Sequence, residues 1–445
     1  MRQTPRVTMP PESFFAGFRE RDREPARRFY QKHVDLKGLH IAAAGVVDDA
    51  ALQRTHFLVS HLLAGRPDIL ETMATFGTRL IVIGKDQVYT DMPEYRNAPN
   101  PAYLNERVRG TGGLDVTSFG EENLLNLPLD RYDDESIAVH EFCHTIDAAL
   151  SRLDPMWRGR LSGVYKAALA KGLWKNTYAA SNAGEYWGEI AQSYFNCNRI
   201  NNWNHGPIGT RELLQKYDPE GFALVRDTFK LTGVKDSKDW RYTPVRRQPS
   251  VIAPPEKYKF APVFTKFTLA REFPVVGVAK TGDKALLKAN DTIRKLFTYR
   301  HDILKALINE GYYLAVLPKG AAALSGADPK RLEVSEDRLV SLVGTLARVF
   351  YLATATRPAD PEFEKQRDRQ QYELRVKRLD VTLDNRLRVL FGEARLEKWV
   401  SGVEAYFDVH QPRSREQLQR TDPALFSIVE EVMAYTNHPD WRYRP

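Results

Sequence analysis

Along the first part of the chain, apolar residues fall into a definite order of elements. His40–Gly45 is a short apolar run with the length of a buried strand. Apolar positions then recur at helical spacing over Asp48–Leu63 and again over Pro67–Phe76, before LIVIG at 80–84 returns to a strand pattern. Asp48 or Asp49 stands where a first helical turn needs a side-chain acceptor, and Gly77 where a helix can stop in the left-handed region without strain. The opening therefore reads strand, helix, helix, strand. Beyond it helical periodicity dominates, which predicts an α+β fold weighted towards helix.

The same order occurs twice. Residues 30–85 align with 264–319 without a gap at a constant offset of 234, and thirteen of the 56 positions are identical, against roughly three expected from composition. Lys32, Asp49, Leu52, Gly77 and Val82 return as Lys266, Asp283, Leu286, Gly311 and Val316, and Arg66, Asp68 and Ile69 as Arg300, Asp302 and Ile303. Later landmarks keep their order: Trp187 and Trp399, Asp218-Pro219 and Asp422-Pro423, Asp239-Trp240-Arg241-Tyr242 and Asp440-Trp441-Arg442-Tyr443. The organisation expected is an N-terminal extension (1–29), a first copy (30–244), a Pro-rich linker (245–258) and a second copy (259–445).

Composition changes this picture in three places. With 42% hydrophobic residues in 445, each copy can bury its own core. No apolar run is long enough to span a membrane and the N-terminus has no leader-like apolar stretch, so cytoplasm is the default expectation, with a secreted or periplasmic location open if a leader was removed. Cys143 and Cys197 cannot form a disulfide framework, although one bridge between them is open. The formal charge of +8 is uneven: residues 1–244 carry 31 basic and 31 acidic side chains, and 245–445 carry 34 and 26. That surplus predicts an acidic partner for the second copy, while no fingerprint of a nucleic-acid module accompanies it.

The chemistry gathers in VHEFCHTID (139–147). A spacing of four puts His140 and His144 on one helix face, a turn apart, where two imidazoles can reach one metal, and Glu141 sits beside the position of a bound water. Imidazole and carboxylate donors suit zinc, one ion per chain, with a fourth position open to water. The flanking Ile137, Val139, Phe142 and Ile146 imply a buried helix, in which unpaired histidines would be costly. The third ligand is sought in TYAASNAGEYWGEIAQSYFN (177–196), where Glu185 and Glu189 share a helix face: one can bind the metal while the other orients an imidazole. Asn182 followed by Glu185 also fits a capping box, which leaves a purely local role open for Glu185.

HEFCHTID followed by YAASNAGEYWGE resembles the gluzincin zinc peptidases, in particular the Mlc titration factor A family and the catalytic domain of anthrax lethal factor. The resemblance covers about residues 135–196 and implies a zincin-like domain in which His140, His144 and Glu185 bind zinc and Glu141 is the general base for peptide hydrolysis. It implies a transition-state role for Tyr178, seven residues before Glu185; a phenol there can donate to the oxyanion formed when water attacks a peptide carbonyl. Glu189 and Asp147 are expected in the outer shell around the ligands. Cys143 departs from the small residue of those families and is read as a helix-crossing position.

In the second copy, Gly344, Thr345 and Arg348 stand opposite His140, Glu141 and His144, and only Glu397 and Trp399 match Glu185 and Trp187. A lone carboxylate beside an arginine cannot hold catalytic zinc, so this copy is expected to be degenerate, a pseudopeptidase domain. It also lacks about thirty residues near RVRGTGGLDVTSFGEENLLNLPLD (107–130), which reads either as an edge strand able to pair with an extended substrate or as a surface loop. The alternative to a peptidase is a non-enzymatic tandem binding protein, recognising a protein or an anionic polymer, whose zinc is structural and closed by a fourth ligand, for which His205 is the candidate.

Overall fold

The computed structural model of the protein describes residues 4–130, 132, 135–175, 177–199, 205, 208–235, 237, 240–245, 249–297, 304, 307–308, 310–326, 328–355 and 383–433. Asp239, Arg300, Asp302, Ile303 and Asp440-Trp441-Arg442-Tyr443 lie outside the described residues. The chain divides into two compact units, the first holding the described residues up to 245 and the second those from 249 on. Each is mixed helix and sheet, an α+β architecture. No helix among the described residues is long and apolar enough to cross a membrane.

The first unit is built on a five-stranded sheet. Strands β1 (Tyr30–Leu36) and β2 (Leu39–Ala44) pair antiparallel, β3 (Arg79–Ile83) and β5 (Val116–Gly120) continue parallel from β2, and β4 (Gly110–Thr111) forms the far edge, antiparallel to β5. β3 is apolar beyond its first residue because both its faces are covered, as parallel strands require. Helices α1 (Glu12–Ala16) and α2 (Glu20–Phe29) cover one face, seating Phe14, Phe15, Phe18 and Ala26 against Ala42, Ile81 and Ile83. The segment expected as an extension is thus built into the first unit, and Thr8 bridges to His33 of β1. On the other face lie α3 (Asp49–Leu62), α4 (Pro67–Phe76) and α7 (Ile137–Leu153), where Leu52, Met73 and Ile146 share a core with Leu80 and Val82. Local chemistry sets the ends of these helices: the Asp48 carboxylate accepts from the Ala50 amide at 2.9 Å, and Gly77 stops α4 at φ 81°.

Two short helices, α5 (Pro101–Arg107) and α6 (Glu121–Leu124), come before β4 and after β5, and α8 (Trp157–Ala170), α9 (Ala183–Tyr194), α10 (Arg211–Tyr217) and α11 (Pro219–Phe229) complete the unit. Asp218 organises this half. One carboxylate oxygen caps α11 through the Gly221 amide, and the other accepts from Trp174 Nε1 at 2.8 Å and the Tyr186 hydroxyl at 2.6 Å, tying α9 to α11.

The second unit has a four-stranded sheet in the order β6 (Phe264–Ala270), β7 (Phe273–Val278), β8 (Tyr313–Leu317), β9 (Arg331–Ser335), with α12 (Asp283–Leu296) following β7. Its pairings repeat those of the first unit residue by residue: Tyr30↔Ala44 and Lys32↔Ala43 around a shift in register correspond to Phe264↔Val278 and Lys266↔Gly277 around the same shift. β4 has no counterpart among the described residues. Further along, α13 (Leu342–Ala355) packs against α14 (Arg395–Tyr406), followed by α15 (Ser414–Thr421) and α16 (Pro423–Met433).

A lysine pins the first strand to the helix that follows the second strand, α3 or α12, in both units. Lys32 Nζ donates to the Val47 carbonyl at 2.6 Å and pairs with Asp49 at 2.7 Å; Lys266 Nζ donates to the Thr281 carbonyl at 2.6 Å and pairs with Asp283 at 2.8 Å. Both lysines are about a quarter exposed, so the charge-assisted bond is worth about 1 kcal/mol. Lys32→Met and Lys266→Met are therefore expected to lower stability by similar amounts in chemical denaturation followed by a probe in each unit. A loss in one unit with none in the other would show that the shared geometry does not carry a shared energy.

Candidate metal centre

Helix α7 begins where Ser136 accepts from the Val139 amide, and its buried face carries His140. Helix α9 crosses α7 closely, and two features permit this. Trp187 Nε1 donates to the Cys143 carbonyl at 2.8 Å, locking the crossing, and Gly188 lies under the His140 ring, where a β-carbon would stand 2.6 Å from His140 Cε1. Cys143 is thus at the helix crossing, as expected from its place in the motif. Both cysteines are buried free thiols, and burial pushes the Cys143 thiol well above its usual range.

Within this crossing, His140, His144 and Glu185 each offer one donor atom, all within 4.8 Å of one another. Glu185 Oε2 is 3.1 Å from His140 Nε2 and 3.6 Å from His144 Nε2. Asn182 does cap α9, its side-chain oxygen accepting from the Gly184 and Glu185 amides at 2.9 and 3.0 Å, yet the Glu185 carboxylate turns to the histidines. Burial disfavours charge on Glu185, but hydrogen bonds from His140 and His144 outweigh it and hold its pKa far below the usual carboxylate range. Likewise, burial opposes protonation of His140, but the hydrogen bond to Glu185 and the charges of Glu141, Glu189 and Glu185 raise its pKa to about 10. Three donors of zinc-binding type thus converge beside a cleft.

The residue that orients His140 is Gln192, which nothing in the sequence pattern singles out. Its Nε2 donates to the Ser136 carbonyl at 3.1 Å, so its Oε1 must face His140 Nδ1, 2.8 Å away. The amide oxygen can only accept, so Nδ1 bears a proton, and Nε2 is the nitrogen that faces Glu185 and is left to meet an ion. Glu189, expected in this role, keeps one oxygen 3.8 Å from His140 Nδ1 and uses the other to accept from His205 Nδ1 at 3.0 Å and Asn198 at 3.1 Å. His205 belongs to this second, fully buried cluster with Glu189 and Glu135, not to the His140 group. Arg199 lies 4.0 Å from Glu135, and His205 Nε2 lies 3.6 Å from the same carboxylate.

Glu141 and Tyr178 flank the donor trio. Burial pushes the Glu141 carboxyl above its ordinary range, against the pull of His140 and His144. Tyr178 sits on a 3-10 turn with its ring 6.2 Å from that of His140. It stays 43% exposed, and desolvation together with the Glu185 and Glu141 carboxylates keeps its phenol protonated well past the usual range. Asp147 does not reach a ligand histidine by a hydrogen bond; it accepts from Trp157 Nε1 at 2.6 Å and pairs with Arg158 at 3.0 Å.

These residues line a cleft of about 500 Å³, whose other wall is β4 and the glycines after it, Gly112 and Gly113. The segment expected as an edge strand or a loop thus supplies an edge strand. Gly112 allows its close approach to α7, since a β-carbon there would lie 2.2 Å from the Glu141 carbonyl oxygen and 2.5 Å from His144 Cβ. Comparison of the chain with protein-family models, with curated proteins and with solved structures finds no match.

In the second unit, Arg348 pairs with Glu397 at 2.7 Å, and no trio of metal-binding side chains forms among its described residues. Trp399 Nε1 nevertheless donates to the Ala347 carbonyl at 3.0 Å, the same lock as in the first unit.

The Gly188 contact gives a direct test. Gly188→Ala is expected to displace the His140 ring and cost about 1–3 kcal/mol, as overpacking of a filled core does. Wild-type stability together with an unmoved His140 resonance in NMR would show that the ring has room to spare.

Proposed function

We propose that this chain is a zinc-dependent peptidase of the gluzincin kind, in which His140 Nε2, His144 Nε2 and the Glu185 carboxylate hold one zinc ion. The observation that carries the reading is the convergence of these three donors beside a cleft that also holds Glu141, Tyr178 and a free strand edge. Zinc held there would supply Lewis acidity and lower the pKa of water in the open position. The chain's own groups supply the rest. An extended peptide pairs with β4, which presents its carbonyl to the cleft. Glu141, with a carboxyl of raised pKa, takes a proton from the attacking water onto a carboxylate oxygen and later gives it to the departing amine. The protonated Tyr178 hydroxyl donates to the oxygen that gains charge.

The repeated strand register, the twin lysine pins and the twin tryptophan locks support a tandem duplication in which the second copy lost His140 and His144 to Gly344 and Arg348. On this reading the second copy is a pseudopeptidase domain, and its positive surplus fits an acidic partner.

The decisive experiment measures zinc and peptide cleavage together. Protein prepared without chelator is expected to hold one zinc per chain, and Glu141→Gln to keep that zinc while losing hydrolysis by two orders of magnitude or more, since about 10²–10⁴-fold is the usual worth of a general base. No zinc uptake on reconstitution, or full turnover in Glu141→Gln, would overturn the proposal.

Gln192→Leu separates orientation from ligation. It removes the acceptor for His140 Nδ1–H while keeping the volume, so zinc affinity in a chelator competition should fall by about 10–100-fold with the fold retained by circular dichroism. Unchanged affinity would mean that the imidazole needs no partner to present Nε2.

A further inference from the structure

The cleft beside the donor trio carries a single arginine or lysine among its lining residues, Arg158. Its side chain is 59% exposed, but it is not the loose surface arginine that such exposure usually describes. Nη1 lies 3.0 Å from Asp147 Oδ2, and Nε donates to Ser151 Oγ at 2.8 Å. Both partners are fixed in turn: Asp147 is buried and accepts from the buried Trp157 indole at 2.6 Å, and Ser151 Oγ donates to the Asp147 carbonyl at 2.7 Å. Asp147 and Ser151 lie one and two turns beyond His144 on α7, so the guanidinium is clamped along the helix that carries the histidines. Nη2 makes no hydrogen bond among the described residues, and Arg158 lines the cleft.

We infer, resting on the peptidase reading above, that Arg158 recognises a carboxylate on the substrate within about two residues of the scissile bond. Helix α7 advances about 1.5 Å per residue, which puts Asp147 about 4.5 Å along the axis from His144. An extended peptide advances about 3.3 Å per residue, so a group meeting a guanidinium held on Asp147 belongs to a residue near the one being cut. A guanidinium with a free nitrogen, fixed in direction before binding, matches a carboxylate better than any neutral group. The carboxylate can come from an acidic side chain or from the chain's own C-terminus. Those two sources give different enzymes, a cleaver at acidic residues or a remover of C-terminal residues.

Two peptide series distinguish them. One places Glu or Gln at each of the two positions on either side of the scissile bond, and the other ends in a free carboxylate or an amide. Wild-type protein is expected to favour the acid in one series by about fivefold in kcat/KM, the worth of an exposed ion pair, and the preference should shrink with added salt. In Arg158→Gln the ratio should fall to about one, and in Arg158→Glu a Lys-bearing peptide should replace the Glu-bearing one as the better substrate. Equal rates for acid and neutral peptides in the wild type, or a preference that survives in Arg158→Gln, would overturn the inference. A binding arm uses zinc-loaded Glu141→Gln and the same peptides, read by fluorescence anisotropy with and without Arg158→Gln. Cleavage of no peptide by the wild type, with acid-dependent binding lost in Arg158→Gln, would remove the peptidase reading and leave carboxylate recognition standing. Neither cleavage nor acid-dependent binding would remove both.

Discussion

Everything in the candidate site depends on how closely α9 crosses α7. The distance is set by one glycine and one indole: Gly188 lets the His140 ring lie against α9, and the Trp187 bond to the Cys143 carbonyl holds the helices there. Only at that separation can Glu185, from the first turn of α9, come within hydrogen-bonding distance of His140. The same crossing delivers Gln192, two turns further along α9, to the other nitrogen of the ring. One helix therefore touches both nitrogens of one imidazole, with a carboxylate on the side that faces the cleft and an amide on the side that faces the core. An amide is the better partner on the core side, because a second buried carboxylate there would add uncompensated charge next to Glu189.

Much of this was legible in the sequence, and the reasons differ by element. The β2–α3–α4–β3 order was readable because its strands are buried on both faces and its helices carry clear start and stop signals, Asp48 before α3 and Gly77 after α4. Strand β1 was not, since a shift in register between Tyr30 and Lys32 breaks its in-and-out alternation and Gln31, Lys32 and His33 interrupt the apolar pattern. Helices α1 and α2 escaped for a related reason: with one buried residue in α2 and two in α1, their apolar face makes sense only against the sheet they cover. His140 and His144 were found from their spacing and Glu185 from a second helix together with the motif's resemblance, and the three do converge. Glu189 was assigned the task that Gln192 performs. The i, i+4 rule names both Glu185 and Glu189 as facing one way, but which outer residue meets Nδ1 depends on the crossing angle of two helices, and sequence spacing says nothing of that.

The tyrosine and the edge strand were visible only through the motif they accompany. Nothing in Tyr178's own neighbourhood marks it, because a half-exposed tyrosine on a short turn is ordinary. Its position gains meaning from the carboxylates gathered around it. Likewise, Gly110 and Gly112 look like loop residues in sequence, but each stands against Glu141 or His144 with no room for a side chain, so their composition is dictated by the approach of β4 to α7 and not by turn formation.

The second unit shows which parts of the arrangement hold the frame and which serve chemistry. It keeps the strand register, the lysine pin and the indole lock, each made by main-chain pairing or by a bond to a main-chain carbonyl. Where the first unit has His140, the second has Gly344, and the volume beside it is taken by Glu404, whose carboxylate stands 2.2 Å from where a β-carbon at 344 would be. Glu404 follows Trp399 by the same five residues that separate Gln192 from Trp187. The position that orients an imidazole in one unit thus fills, in the other, the space that the imidazole takes in the first, and its other carboxylate oxygen lies 3.3 Å from His410 Nε2. Because backbone-directed bonds hold the frame, the buried polar side chains between the helices could change without moving the helices, provided that the volume and the charge were both made good. The donor trio is therefore an addition to the fold and not a support of it, which is why its presence has to be argued from the side chains themselves.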